Sequence, residues 1–273
     1  MMHQDTLRQM LQGLALGETR YFEQVGSSND LAAEWAGQGA PDRSLVIAGE
    51  QLSGRGRLAR RWFSPPETSL AFSLILKPQP TPPSEHLLRY TGLGALAVCQ
   101  ALQVDYRLPA SIKWPNDVLI NGKKVCGVLL EAHWSGAELQ ALILGVGVNV
   151  GAGAVPPQQA VTYPATSLET ELGQRLGRWQ VLRQILLALT GWLARLPEPA
   201  FIQAWEQNLA FRGQQVQVTT AGQVLWHGRL LGLSPAGQLR LEMDGGEQVE
   251  IISGEIPSPV QPFSLRPVDS SGK

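Results

Sequence analysis

The sequence predicts an α+β fold over about residues 20–210, followed by a small all-β unit. Three observations lead to this prediction. Helix-like and strand-like patterns alternate up to about residue 210. Residues 117–131 have the pattern of a β-hairpin. After residue 211 the chain contains only short strand patterns separated by turn signals.

The first third of the chain predicts short elements. Leu7, Met10, Leu11 and Leu14 have helical spacing, which predicts a short amphipathic helix within residues 4–16. Serines and an asparagine at 27–29 then precede an apolar run that stops at a glycine, which predicts a capped helix ending at Gly37. Further predicted elements are strands at 45–48 and 69–76, a proline-rich connection at 78–83 and a helix at 85–103.

The middle of the chain gives the clearest local signals. Pro115 forces Trp114 toward an extended backbone at the end of a short strand. Asn121 and Gly122 stand at the tip of the predicted hairpin, where this dipeptide is the strongest short-range signal. The remaining predicted elements are a strand at 139–150, a loop at 151–165, helices at 178–196 and 198–210, and short strands after 211 that form a small barrel before a loose tail at 263–273.

The composition excludes several classes of protein. The 273 residues are 44% hydrophobic and 16% charged with a net charge of -1, which indicates a globular chain and argues against a surface that binds nucleic acid throughout. No apolar run reaches the roughly 18–20 residues of a membrane span, and the N-terminus lacks a signal-peptide core, so we expect a cytoplasmic protein. Cys99, Cys126 and four scattered histidines form no metal-ligand pattern, and the metal ligands stay unknown.

Residues 53–62, SGRGRLARRW, contain four arginines and two glycines. Guanidinium groups bind phosphate or carboxylate, and glycines let a backbone approach a ligand closely. Because like charges repel, we expect this loop to be loose until an anion neutralises it. A solvated basic loop is an equal alternative, and a nucleic-acid patch is the weakest of the three.

Lys113 follows an apolar strand and precedes a proline and a tight turn. A rigidly placed ammonium can stabilise charge that develops on a reacting carboxylate or phosphate, although a lone lysine at a strand end is usually solvated. Asn116 and Asp117 are either part of this site or turn residues only.

Glycines interrupt two of the predicted strands. Gly127 in mid-strand indicates either a bulge or a close approach of a ligand or another backbone. Gly145 and Gly147 alternate and so clear one face of their strand, and Asn149 follows with one donor and one acceptor group. This pattern lacks the spacing of a phosphate-binding loop. Cys126, between apolar residues, is expected to be a buried packing residue.

Four motifs follow one another along the chain: SGRGRLARRWFSP at 53–65, KWPND at 113–117, KVCGVLLE at 124–131 and GVGVN at 145–149. Taken in this order, they resemble biotin protein ligases over about residues 20–260. Two shorter stretches also resemble the family: Gly26–Asn29 is similar to its biotin-side segment, and Ser253–Ile256 is similar to its C-terminal Gly-Glu-Ile.

The resemblance implies a catalytic domain related to class II aminoacyl-tRNA synthetases, with a mixed, largely antiparallel sheet and packed helices, followed by an SH3-like β-barrel. It divides the chain into an N-terminal segment at 1–19, a catalytic domain at 20–210, the barrel at 211–260 and a tail at 261–273. Biotin and ATP would give biotinyl-5′-AMP and pyrophosphate, and biotin would then pass to a lysine of the biotin carboxyl carrier protein of acetyl-CoA carboxylase.

The resemblance also implies roles for matching residues. Two anions must meet in the first step, so dense positive charge and Mg²⁺ are required. The implied catalytic residues are Lys113, Arg57 and Arg55. The implied biotin-binding residues are Ser27, Ser28, Asn29, Gln51, Gly54, Arg55, Lys113, Gly127 and Leu129. The implied ATP-binding residues are Arg57, Arg60, Trp62, Lys113, Asn116 and Asn149.

The chain departs from the family in two places. About 20 residues precede the predicted catalytic domain, too few for the winged helix-turn-helix of repressor-type members, so we expect no specific DNA binding and no repressor function. Residues 151–175 contain no tryptophan, which some members place near the adenine.

The alternative functions are a lipoate ligase or octanoyltransferase of the same fold, which lack the arginine-loop and KWPND motifs, and a non-catalytic interaction protein. A monomer and a homodimer stay equally open.

Overall fold

The computed structural model describes residues 4–157, 163–220 and 223–257. The predicted tail at 263–273 and the turn signal at 221–222 lie outside these residues. No helix in the described ranges combines the length and the hydropathy that a transmembrane segment needs.

A seven-stranded mixed sheet forms the centre of the larger part of the molecule. Its strand order is β1-β2-β3-β7-β6-β5-β4. The pair β1–β2 is parallel and the other neighbours are antiparallel, which confirms the predicted largely antiparallel sheet. Its strands are β1 (Thr19–Val25), β2 (Leu45–Gln51), β3 (Ser69–Leu76), β4 (Ala110–Lys113), β5 (Asp117–Ile120), β6 (Lys123–Ser135) and β7 (Glu138–Asn149).

Helices cover both faces of this sheet. On one face α2 packs through Ala32 and Trp35 against apolar residues of β2, β3 and β7. On the other face α3, α5 and α6 enclose the main core, in which Phe201 and Trp205 are fully buried. The helices are α1 (Gln4–Met10), α2 (Ser28–Gly37), α3 (Leu87–Tyr106), α4 (Leu168–Leu172), α5 (Arg178–Ala194) and α6 (Pro199–Gln207).

Four antiparallel strands form a second, smaller sheet in the order β11-β10-β9-β8. Glu255, which follows β11, pairs with Thr219 of β8, so the sheet begins to close on itself as a small barrel does. The indole N–H of Trp114 donates a 3.0 Å hydrogen bond to the carbonyl of Gly237 and joins the two sheets. The strands are β8 (Gln215–Thr220), β9 (Gln223–Leu233), β10 (Leu239–Met243) and β11 (Gln248–Ile251).

The predicted elements agree with the structure in most places. The hairpin is confirmed: Asn121 and Gly122 both have positive φ, 51° and 74°, as a type I′ turn requires. The short helix predicted within residues 4–16 occupies Gln4–Met10, and Gly13, beyond its end, has a φ of 85°. The sequence patterns did not predict β1, a half-exposed edge strand, or the five-residue helix α4.

The packing of α3 against α6 generates a paired prediction. A Cβ at Gly92 would overlap the ring of Trp205, whereas nothing lies within 4 Å of a Cβ at Gly191 in α5. Gly92→Ala is therefore expected to lower the free energy of unfolding by about 1–3 kcal/mol through overpacking. Gly191→Ala is expected to raise it by about 0.5–1 kcal/mol through helix propensity. Urea unfolding of both variants checks this, and equal shifts would contradict the packing.

Candidate active site

Three glycines on neighbouring strands create a flat floor on the α2 face of the large sheet. Gly127 of β6 pairs directly with Gly147 of β7. A Cβ at Gly147 would overlap the indole of Trp62, and one at Gly127 would lie 3.0 Å from the same ring. A Cβ at Gly145 would overlap the carboxamide of Asn29. The glycines therefore allow side chains to approach the sheet closely, whereas the sequence interpretation of Gly127 had named a bulge, a ligand or another backbone.

A polar network closes one end of the glycine floor. The Ser73 hydroxyl of β3 lies 2.7 Å from Oγ of Ser28 and 2.6 Å from Oδ1 of Asn29. The backbone N–H of Ser28 donates a 2.8 Å hydrogen bond to Oε1 of Gln51 at the end of β2. Ser28, Asn29 and Ser73 are all buried, as is Ser27 at the start of α2. The first turn of α2 is thus fixed against two strands.

Glu131 links this network to the arginine loop. It lies on β6 four residues after Gly127 and therefore on the same face. The Asn29 amide donates a 2.7 Å hydrogen bond to its Oε2, and the guanidinium of Arg55 lies 2.8 Å from that oxygen. Arg55 also forms a 2.6 Å ion pair with Asp30. Two carboxylates consequently hold the first arginine of the loop at this end of the floor.

Arg57 and Arg60 contact the other end of the site. Nη1 of Arg57 donates hydrogen bonds to Oδ1 of Asn116 at 3.1 Å and to the carbonyl of Gly254 at 3.3 Å. Arg60 forms two hydrogen bonds to the carboxylate of Glu255, of 2.8 and 2.6 Å. Burial lowers the pKa of Arg57 from its ordinary value, while the negative charge of Glu255 opposes that shift. The loop is therefore attached to the segment that follows β11.

Lys113 is held by groups from three parts of the chain. Its Nζ lies 2.9 Å from Oδ2 of Asp117 and donates a 3.3 Å hydrogen bond to the carbonyl of Ile256. It also lies 4.7 Å from the centre of the Tyr163 ring. The lysine is buried, so the ammonium is fixed by these partners rather than solvated. This agrees with the prediction of a rigidly placed charge.

Asp117 is the first residue of β5 and is buried. Its second oxygen, Oδ1, forms a 2.6 Å ion pair with Nζ of Lys124. Burial by itself would raise the pKa of this carboxyl, but Lys124 and Lys113 together lower it to about 2. Asp117 is thus a charged member of the site and more than a turn residue.

The remaining predicted residues lie around the same floor. Leu129 pairs with Gly145 and shares the face of Gly127. The amide of Asn116 donates a 3.0 Å hydrogen bond to the carbonyl of Val128. The amide of Asn149 donates a hydrogen bond to the carbonyl of Thr166, so this side chain already has a partner within the protein. Its assignment to ATP stays a prediction.

In the structure, groups of the protein itself already contact the arginines of the loop, which the sequence predicted to be loose until an anion neutralises them. Arg55, Arg57 and Arg60 each have a carboxylate or carbonyl partner from outside the loop, and Arg61 donates a 2.9 Å hydrogen bond to the carbonyl of Leu52. The partners Glu131 and Glu255 were missed as site residues. Glu131 was detectable, because it alternates with Gly127 and Leu129 on one strand face, whereas the contact with Glu255 spans 195 positions of the chain.

Cavity volume does not identify this site. A cavity of about 610 Å³ lies beside α1 and β1 and is lined by residues from Arg8 to Phe22. A second, of about 380 Å³, is lined by residues including Tyr21, Glu67 and Arg178. Neither contains a predicted site residue. At the glycine floor itself, the side chain of Trp62 covers Gly127 and Gly147. Its indole N–H is buried and has no hydrogen-bond acceptor within the described part of the chain.

The double ion pair of Asp117 generates a testable prediction. Asp117→Asn leaves the buried ammonium of Lys113 and the partly exposed ammonium of Lys124 without their shared counterion, and is expected to lower the free energy of unfolding by about 3–5 kcal/mol at pH 7. Because the folded pKa is lowered from 3.8 to about 2, about 2 kcal/mol of stability is present above pH 4 and lost as the pH falls toward 2. Urea midpoints at several pH values measure this. Exposed Asp105→Asn is the control, and a pH-independent difference between wild type and Asp117→Asn would contradict the assignment.

Comparison with known proteins places these features in a family. The model of the Biotin/lipoate A/B protein ligase family matches residues 21–149, and that of the Biotin protein ligase C terminal domain matches residues 211–256. The first range contains the arginine loop and the glycine floor, and the second contains Glu255. The two matches therefore include both sides of the site.

Similar proteins cover most of the chain. A biotin--[acetyl-CoA-carboxylase] ligase of Paracoccus denitrificans is 34% identical over 77% of this chain and 89% of its own length. The bifunctional ligase/repressor BirA of Bacillus spizizenii is 32% identical over 83% of this chain and 70% of its own length. The structure of the Aquifex aeolicus biotin protein ligase in complex with biotin and ATP has a TM-score of 0.74 and 30% identity, covering 87% of this chain and 97% of the other. This chain belongs to the biotin protein ligase family.

Proposed function

We propose that this chain activates biotin with ATP and attaches it to a lysine of a carrier protein. The observation that carries the proposal is the convergence of fixed cations on one side of the glycine floor. Arg57, Arg60 and Lys113 come from two separate segments and are all held by residues 116–117 or 254–256. Such an arrangement suits a reaction in which two anions must approach each other.

In the first step a carboxylate oxygen of biotin attacks the α-phosphorus of ATP. A new C–O–P link forms, the bond to the bridging oxygen of the β-phosphate breaks, and pyrophosphate leaves with the electron pair. No proton is required, so the protein mainly has to position the reactants and stabilise charge. Lys113 is suited to this role because its ammonium is buried and held in place.

Biotin is assigned to the end of the floor that Ser28, Asn29 and Gln51 close. Their amide and hydroxyl groups can exchange hydrogen bonds with a polar ring system, while Gly127 and Leu129 give a flat apolar wall. Ser27, Gly54, Arg55 and Lys113 complete the predicted set. The clustering of these groups around one floor supports the assignment.

ATP is assigned to the end where Arg57, Arg60 and Asn116 meet the turn after Lys113. Arginine pairs with phosphate in two-pronged geometry, so Arg60 can exchange Glu255 for a phosphate group. Trp62 carries a buried N–H that a ligand acceptor would satisfy. Asn149 stays in the predicted set as a nucleotide-side residue.

Magnesium is assigned to the substrate rather than to the protein. No group of three or more histidine, cysteine, aspartate or glutamate side chains in the described ranges is arranged to hold a metal ion. Mg²⁺ commonly binds through substrate phosphates, so it would enter as the ATP complex. The side chains of this protein would then contact the non-bridging oxygens of the phosphates.

In the second step the neutral amine of the carrier lysine attacks the acyl carbon of biotinyl-5′-AMP. The amide bond forms, AMP leaves with the electron pair of the acyl–oxygen bond, and the amine releases a proton. The mixed anhydride is easily hydrolysed, so the arginine loop must keep water away until the carrier arrives. We assign the carrier to the biotin carboxyl carrier protein of acetyl-CoA carboxylase, in accordance with the name of the Paracoccus relative.

We assign catalysis to residues 20–210 and the barrel to residues 211–260, which the two matched family models support. We place the activity in the cytoplasm, where buried free thiols such as those of Cys99 and Cys126 are usual. The lipoate alternative loses support, because the Paracoccus relative and the Aquifex structure are both biotin ligases by name.

Substitution of Lys113 tests the first step. Lys113→Ala is expected to slow biotin-dependent exchange of pyrophosphate into ATP by roughly 10²–10³, the usual loss for one preorganised charge-stabilising donor. The control is Arg43→Ala, which removes an exposed arginine whose side chain forms an ion pair with its neighbour Asp42. An exchange rate within threefold of wild type would contradict the assignment of Lys113 to the first step.

Substitution of Arg57 tests the seal over the intermediate. Arg57 attaches the loop to Asn116 and Gly254, so Arg57→Ala is expected to release activated biotin. Mass spectrometry should then find biotin on exposed lysines of an added unrelated protein. Arg61→Ala removes a hydrogen bond to the carbonyl of Leu52, next to the start of the loop, and leaves the contacts to Asn116 and Gly254 in place, so this variant should stay selective. Carrier-only labelling by Arg57→Ala at the wild-type rate would show that Arg57 does not form the seal.

A further inference from the structure

A second lysine, Lys124, shares the buried carboxylate of Asp117 with Lys113. The two ammonium groups lie 2.6 and 2.9 Å from opposite oxygens of that carboxylate. We propose that Lys124 is a second substrate-contacting lysine, which binds the α-phosphate of ATP and of the acyl-adenylate beside Lys113. This inference rests on the proposed function and adds a residue that the motif comparison left without a role.

The position of Lys124 is fixed by its backbone. Its N–H donates a 2.7 Å hydrogen bond to the carbonyl of Pro164, and its own carbonyl accepts a 2.9 Å hydrogen bond from the N–H of Thr166. Lys124 also stands beside the bulge where the β5–β6 register shifts. The stem of the side chain therefore starts from a defined point at the edge of the site.

The ammonium of Lys124 points over the glycine floor. A Cβ at Gly127 would lie 3.3 Å from its Nζ and the same distance from Cε. Nζ lies 5.5 Å from the centre of the Trp62 ring, and that ring covers Gly147. Lys124 is thus located where the predicted biotin wall meets the predicted nucleotide end, which is where the α-phosphate must stand.

The charges around Asp117 do not cancel. One carboxylate faces two ammonium groups, and Arg57 adds a third cation that contacts the neighbouring Asn116. Glu255 is paired in two-pronged geometry with Arg60, and within the described residues Asp117 is the carboxylate that contacts both Lys113 and Lys124. An anion bound between these cations balances the charge, and a phosphate fits because each ammonium offers donors to its oxygens.

The two lysines differ in how far the protein already satisfies them. Lys113 has a carboxylate, a backbone carbonyl and an aromatic ring as partners, and its side chain is only 8% exposed. In the described ranges Lys124 has the carboxylate and one distant ring, and its side chain is 26% exposed. Lys124 therefore keeps N–H donors that a ligand can use without losing an existing partner.

This contact acts on the bond changes of the first step. As the biotin oxygen bonds to the α-phosphorus and pyrophosphate departs, charge shifts on the non-bridging oxygens of that phosphate. An ammonium on each side of the reacting centre stabilises this charge without donating a proton, so the atom and electron balance of the step is unchanged. Asp117 acts through the lysines as a positioning residue, because it sets the distance between them.

A matched pair of substitutions tests the proposal. Lys124→Gln is expected to lower the rate of biotin-dependent pyrophosphate exchange by about 10², and Lys124→Arg, which keeps the charge, is expected to recover part of it. Lys123→Gln is the control, since the adjacent lysine is half-exposed and lies 3.9 Å from Glu171, away from Asp117. Exchange within threefold of wild type for Lys124→Gln would overturn the inference.

A second measurement uses the unchanged protein and so does not depend on whether Lys124→Gln folds. Lysines are labelled by reductive methylation and quantified by mass spectrometry, with and without saturating biotinol-5′-AMP, in which a stable phosphate ester replaces the anhydride. Methylation of Lys124 should fall at least fivefold when this probe is bound, while that of Lys123 stays constant. Equal labelling of Lys124 in both samples would overturn the inference.

The two proposals fail in different ways. A wild-type protein that makes no biotinyl-5′-AMP from biotin and ATP contradicts the proposed function. A wild-type protein that makes it, together with an equally active Lys124→Gln variant, contradicts only the role of Lys124. A purely structural role for Lys124 would lower the melting temperature of Lys124→Gln and leave the exchange rate unchanged, which also counts against the inference.

Discussion

One buried carboxylate organises the chemistry of this molecule. Asp117 begins β5, pairs across the sheet with Lys113 of β4 and with Gly127 of β6, and holds an ammonium at each oxygen. Without it, two lysines would approach each other in a region that burial keeps poor in water. The turn at 114–116 between β4 and β5 places the carboxylate of Asp117 and the ammonium of Lys113 on adjacent strands. The register of these strands therefore also fixes the relative position of the two charges.

Carboxylates also hold the arginines of the loop, but these carboxylates come from more distant parts of the chain. Arg55 is held by Asp30 and Glu131, and Arg60 by Glu255. Because these ion pairs already exist, the phosphate that we assign to this loop would exchange partners with it instead of entering an uncompensated basic patch. The guanidinium side of each pair is partly exposed, with side-chain exposures of 44% for Arg55 and 52% for Arg60, so solvent can reach the groups that would exchange partners.

The sequence predicted features that depend on local chain geometry. The hairpin at Asn121-Gly122 was predicted because φ must be positive at both turn residues, and the flat floor was predicted because Gly145 and Gly147 alternate on one strand. Contacts that depend on tertiary structure were not predicted. The pairing of Arg60 with Glu255 joins residues 195 positions apart, and no periodicity records it. β1 was missed for a related reason, since its half-exposed residues acquire strand structure from their parallel pairing with β2.

The segment after β11 shows why the smaller sheet belongs to the site. Three consecutive residues act on three different cations: Gly254 through its carbonyl on Arg57, Glu255 through its carboxylate on Arg60, and Ile256 through its carbonyl on Lys113. Pairing of Thr219 with Glu255 makes this tripeptide part of the small barrel. A rigid shift of the barrel would consequently move all three contacts together. The smaller sheet therefore helps to set the positions of Arg57, Arg60 and Lys113, the cations to which we assign the phosphates of ATP, although all three lie in the part of the chain that contains the large sheet.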